Sequence, residues 1–159
     1  MVTFSLSLVV VLAVGAGKAV TAPPPPVHIT MVAAVATNES RPERGKVFYG
    51  SGCDAIRNAV AELPYNTYRH LVSWFHDLPY NVETPVKVNA QYTAYLTVLS
   101  KQADGRFRIK TRIGERVPGG REVNAVVATH VVVPGDQFKF CVKTNAGALI
   151  IVFTAREAK

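Results

Sequence analysis

Two stretches of the chain are apolar at nearly every position, and much of what lies between them alternates. Val27–Thr37 (VHITMVAAVAT) and Ala148–Ala155 (ALIIVFTA) carry apolar residues on both alternating faces. That pattern marks strands covered on both sides. Across Val86–Ser100, Tyr92, Ala94, Leu96 and Val98 fall on one face and Thr93, Tyr95 and Thr97 on the other, the pattern of a half-buried strand. Four turn signals follow. Ala103-Asp104-Gly105 leads into Arg106–Ile113, and Pro118-Gly119-Gly120 leads into Glu122–Val133. Pro134-Gly135-Asp136 then leads into Gln137–Lys143, and Asn145–Gly147 into Ala148–Ala155. Sequential turns of this kind predict an antiparallel, meander-like C-terminal half.

One segment has helical spacing. Ile56, Ala59, Val60 and Leu63 recur behind Asp54, a candidate N-cap, and Pro64 stops the run. Asn38–Gly52 reads as a charged, glycine-containing loop and Tyr68–Phe75 as a strand. The expected fold is therefore α+β: a mainly antiparallel sheet of six to eight strands with one short helix, forming a single domain over residues 27–159.

The N-terminal run Phe4–Gly17 (FSLSLVVVLAVGAG) has a different character. About 14 residues reach only ~21 Å as a helix, against a hydrocarbon core of ~30 Å. Residues 1–22 are therefore expected to be a signal peptide, cut between Lys18 and Pro23, with an uncleaved anchor as the alternative. Pro23–Pro26 reads as a stiff polyproline spacer. The protein is expected to be exported, periplasmic or secreted.

Composition then narrows the classes. Hydrophobic residues are 48% of the chain and charged residues 18%, enough for a packed core and against wholesale disorder. Cys53 and Cys141 are the two cysteines, and in an exported chain two thiols most simply form one disulfide. The other readings of Cys53, in Gly50-Ser51-Gly52-Cys53-Asp54, are a nucleophile at a helix start with His70, His76 or His130 as base, or an unpaired structural thiol. His28, His70, His76 and His130 lack metal-ligand spacing, so no metal or cofactor is expected. Tyr65, Tyr68, Trp74, Phe75 and Tyr80 read as core and rim before they read as a sugar-stacking surface.

The most informative feature is a basic strand. Arg106, Arg108, Lys110 and Arg112 alternate with Phe107, Ile109, Thr111 and Ile113, so the four cations share one face. Between Lys87 and Arg116 only Asp104 and Glu115 oppose seven basic residues, which concentrates there most of a chain excess of +7. Such a face suits an anionic lipid surface, an acidic polymer or an acidic envelope protein. It also suits a solvated strand that resists aggregation. Export argues against nucleic acid as the partner.

Val27–Ala155 resembles a diffuse family of small exported bacterial proteins with no assigned activity. The likeness lies in the opening strand, Leu63-Pro64-Tyr65 with Tyr68-Arg69 behind it, and the Asp104-Gly105-Arg106 hairpin. It extends to Asn124–Val133 before Pro134-Gly135-Asp136, and to Ala148-Leu149-Ile150-Ile151. It implies an α+β envelope protein and brings no catalytic residues. The leading expectation is a non-enzymatic interaction or assembly module. The alternatives are a Cys53-dependent enzyme and a binder of anionic lipid or polysaccharide.

Overall fold

The computed structural model describes residues 23–40 and 45–158. The expected signal peptide lies outside them. Nine strands are present among the described residues: β1 (Val27–Thr37), β2 (Phe48–Tyr49), β3 (Thr67–Leu78), β4 (Thr84–Lys87), β5 (Tyr92–Lys101), β6 (Phe107–Arg116), β7 (Glu122–Val132), β8 (Gln137–Thr144) and β9 (Gly147–Glu157). A 3-10 turn, Asp54–Ile56, runs into the short helix α1 (Arg57–Val60). The expected α+β class holds: two largely antiparallel sheets and one short helix. The strand number exceeds the expected range because of the two-residue β2 and the four-residue β4.

The two doubly apolar stretches lie side by side. β1 and β9 pair from Val27↔Glu157 to Ala36↔Ala148 at the centre of a five-stranded sheet ordered β2-β3-β1-β9-β8. A second sheet, β4-β5-β6-β7, packs against one face of the first. Ile29, Met31, Leu96, Phe107, Ile109 and Phe153 are fully buried between the two. Each such side chain contributes about 1.5–3 kcal/mol of burial free energy. The other face of the five-stranded sheet packs Ala34, Ala36, Ile150 and Val152 against Cys53, Ile56 and Val60 of the helical segment. Three layers thus account for the lack of alternation in β1 and β9: both of their faces are covered.

Local details depart from the sequence expectations for identifiable reasons. Val86–Ser100 is a hairpin and not one strand, because the Asn89 side chain accepts from the amides of Gln91 and Tyr92 and turns the chain. Pro134-Gly135-Asp136 does not extend the meander: it carries the chain from β7 in one sheet to β8 in the other. Asp54 caps nothing by its side chain; Cys53 occupies the N-cap position, and Asp54 pairs with Arg57 at 2.6 Å. The β8–β9 turn presses on the end of β1. A Cβ at Gly147 (φ 151°) would stand 2.0 Å from the Ala36 carbonyl oxygen, so glycine is required there.

Candidate functional site

The basic strand becomes β6, an interior strand of the four-stranded sheet, and its alternation holds. Phe107, Ile109, Thr111 and Ile113 point into the core while Arg108 and Lys110 are exposed on the outer face. β5 lies on one side, with Tyr95 opposite Arg112 and Thr97 opposite Lys110. β7 lies on the other, with Val131 opposite Arg108, Thr129 opposite Lys110 and Val127 opposite Arg112.

The four cations do not act alike. Arg106 sits in the β5–β6 turn and folds back on Asp104 at 2.7 Å. That hydrogen bond and its charge hold the Asp104 carboxyl below the usual carboxylate range. Arg112 is more thoroughly engaged. Its guanidinium carbon lies 3.5 Å from the Tyr95 ring centroid, and its nitrogens donate to Glu122 at 2.9 Å, Asn124 at 3.2 Å and Glu83 at 3.2 Å. The Tyr95 hydroxyl donates to the other Glu122 oxygen at 2.8 Å. Glu122 is held below its ordinary value by that hydroxyl first and then by Arg112. Gly114 makes the approach feasible, since a Cβ there would fall 2.5 Å from the Glu122 side chain.

Of the expected cationic face, therefore, Arg106 and Arg112 are neutralised within the fold. Arg108 and Lys110 meet no carboxylate among the described residues. Beside them stand the exposed Val127 and Val131 and, between these, Thr129. What remains on the outer face is two cations next to an uncharged strip. The sequence carried a signal for that strip, because Val123–Val133 contains no charged residue. Nothing local in sequence connects Glu83 and Glu122 with Arg112.

No family model, curated protein or solved structure matches the chain.

The expected disulfide is not formed: Cys53 and Cys141 are both free thiols. Cys53 is buried beneath the helical segment with its Sγ 3.7 Å from the Tyr68 carbonyl oxygen, while Cys141 is exposed on β8. Burial, with Asp54 adding to it, pushes the Cys53 thiol up from its ordinary value. That is the opposite of what a nucleophile at a helix start requires. Of the histidines named as its base, His70 hydrogen-bonds Ser73 at 2.9 Å, and His130 packs on the Phe138 and Phe140 rings. A bulge leaves Leu71 unpaired in β3 and so places His70 and His76 on opposite faces of the strand.

Among the described residues no three His, Cys, Asp or Glu side chains gather where they could hold a metal. The aromatic cluster is dispersed. Tyr68 is buried and donates to the Val60 carbonyl at 3.2 Å, and burial raises its hydroxyl to about 12. Trp74 packs against the inner core, whereas Phe75 is 72% exposed on β3. Tyr80, Leu99 and Phe107 line a cleft of about 330 Å³ with Pro24–Pro26 and the Lys101–Glu157 ion pair at the end of the sandwich.

Proposed function

We propose that the protein is an exported, non-enzymatic interaction module that receives an anionic partner on the outer face of β5, β6 and β7. The partner is an acidic envelope protein or an anionic polymer or lipid surface. The observation that carries this reading is the pair Arg108 and Lys110. They stand exposed on an interior strand, without carboxylates, beside the uncharged strip of β7. Cations held by a paired backbone cost little entropy when a partner arrives, and unpaired ones give up no internal ion pair. The Phe4–Gly17 run supports export and the likeness to small exported proteins agrees with it. The second reading, an enzyme built on Cys53, has less behind it, because that thiol is buried and its pKa is raised.

The test is the double variant Arg108→Gln with Lys110→Gln, set against a charge-matched control, Lys143→Gln with Arg156→Gln. Retention on immobilised heparin and binding to anionic phospholipid vesicles are read across a sodium chloride series. Weaker and less salt-dependent association in the first variant, with the control near wild type, is the expected result. Equal losses in both variants would reduce the effect to net charge and contradict the reading.

A further inference from the structure

The two sheets have four edges, and three of them carry features that prevent pairing. β2 has two residues, and the open stretch of β3 beyond it carries Arg69, Asp77 and a bulge at Leu71; β4 has four residues with Pro85 among them, and β8 displays Lys139 and Lys143. Short strands, proline and lysine are the usual protections of a sheet edge. β7 has none of these over most of its length: it spans 11 residues and is uncharged from Val123 onward. Its single irregularity is a bulge at Ala125, between the pairs Ile113↔Val126 and Gly114↔Asn124. Val126–Val132 then runs uninterrupted to the turn at Pro134.

The direction of the free backbone groups follows from the ladder. Val117 N–H bonds the Arg121 carbonyl, so odd-numbered residues of β6 bond to β7, and the pairs Thr111↔Ala128 and Ile109↔His130 are of the hydrogen-bonded kind. Val127, Thr129 and Val131 consequently direct their N–H and C=O groups to the open edge. No strand pairs with that edge among the described residues. The same three residues present exposed side chains on the outer face, Val127 at 53% and Val131 at 46%.

We infer that this edge pairs with the same edge of a second copy, antiparallel about a two-fold axis at Thr129. The strand is self-complementary in that register: Val127 faces Val131 of the other copy, Thr129 faces its own counterpart, and no charge meets a charge. Thr129 is also the midpoint of Val126–Val132, so this register uses the whole uninterrupted segment. The two four-stranded sheets become one of eight strands, and it closes as a dimer because the far edge, β4, is blocked. Lys110 of the two copies would stand across three strand spacings, ~14 Å, beyond the ~8 Å screening length at physiological salt. At lower salt the screening length exceeds that separation and the repulsion is felt, so the dimer tightens as salt rises toward the physiological level, whereas attraction of an anionic partner weakens. This opposite salt response makes the inference separable from the proposed function.

The experiment is sedimentation velocity of the full chain over a sodium chloride series, for wild type, Thr129→Lys and Arg108→Gln with Lys110→Gln. Thr129 is exposed, so at concentrations low enough that both are monomeric Thr129→Lys should keep the wild-type thermal transition. The expected result is a wild-type dimer favoured by salt, and a Thr129→Lys dimer weakened on the order of tenfold or more. The Arg108/Lys110 variant should dimerise with less salt dependence, whatever becomes of its heparin and vesicle binding. In a Cys141→Ser background, Thr129→Cys should oxidise to a covalent dimer, since paired Cα atoms ~5.5 Å apart suit a disulfide, and Thr97→Cys should not. A wild type monomeric at every salt concentration, a Thr129→Lys dimer of wild-type strength, or open-ended assemblies would each overturn the inference.

Discussion

Arg112 looks like its neighbours in sequence and behaves unlike them in the fold. It binds Glu83 before β4, Glu122 and Asn124 at the start of β7, and lies on Tyr95 of β5. Its role is to tie four segments of one sheet together and not to wait for a partner. The Glu122 carboxyl is depressed in the folded state by the Tyr95 hydroxyl and by Arg112. A depressed carboxylate contributes stability that is complete above its unfolded value and is lost as pH falls through the folded one. Thermal unfolding of wild type should thus lose stability on acidification below the usual carboxylate range, and Glu122→Gln should flatten that acid limb while lowering the transition near neutral pH. An unchanged acid limb in the variant would show that the clamp does not couple to folding.

At the scale of elements, the helical segment closes the outer layer without a covalent tie. Gln137 and Lys139 of β8 donate to the carbonyls of Ala55 and Ala59 at 2.7 and 2.6 Å, and Ile56 and Val60 fill the space over β1 and β9. Cys53 serves as a buried apolar residue in this layer, and Cys141 is a surface position on β8. Cys53→Ser should therefore destabilise by roughly 1–3 kcal/mol, as a hydroxyl enters a buried site, and Cys141→Ser by within about 0.5 kcal/mol. The double variant should show the sum of the two. A maleimide should label Cys141 in the native protein and Cys53 only on unfolding. Equal single effects with no further loss in the double variant would indicate a bridge.

Across the whole molecule, the readable part of the sequence was the part set by neighbours in sequence. Alternation located β5 and β6 and assigned their faces, and its absence marked β1 and β9 as central. What escaped it depends on distant contacts or single inserted residues. Bulges at Leu71, Leu99 and Ala125 each shift a face by one residue, and no composition signal announces them. Pro134-Gly135-Asp136 has the same local chemistry whether it continues a sheet or changes to the other. The four cations were visible, but the carboxylates that neutralise Arg112 come from Glu83 and Glu122, which only the fold brings beside it. The site that remains is smaller and more specific than a basic strand: Arg108 and Lys110 beside Val127, Thr129 and Val131.

That location can be read directly. Titrating ¹⁵N-labelled protein with a heparin oligosaccharide and following the backbone amides maps where an anion is received. Shifts should concentrate on residues 108–111 of β6 and their β7 partners, with Arg112 and the β8 lysines Lys139 and Lys143 much less affected. Shifts spread evenly over all exposed lysines and arginines, or centred on β8, would contradict that location.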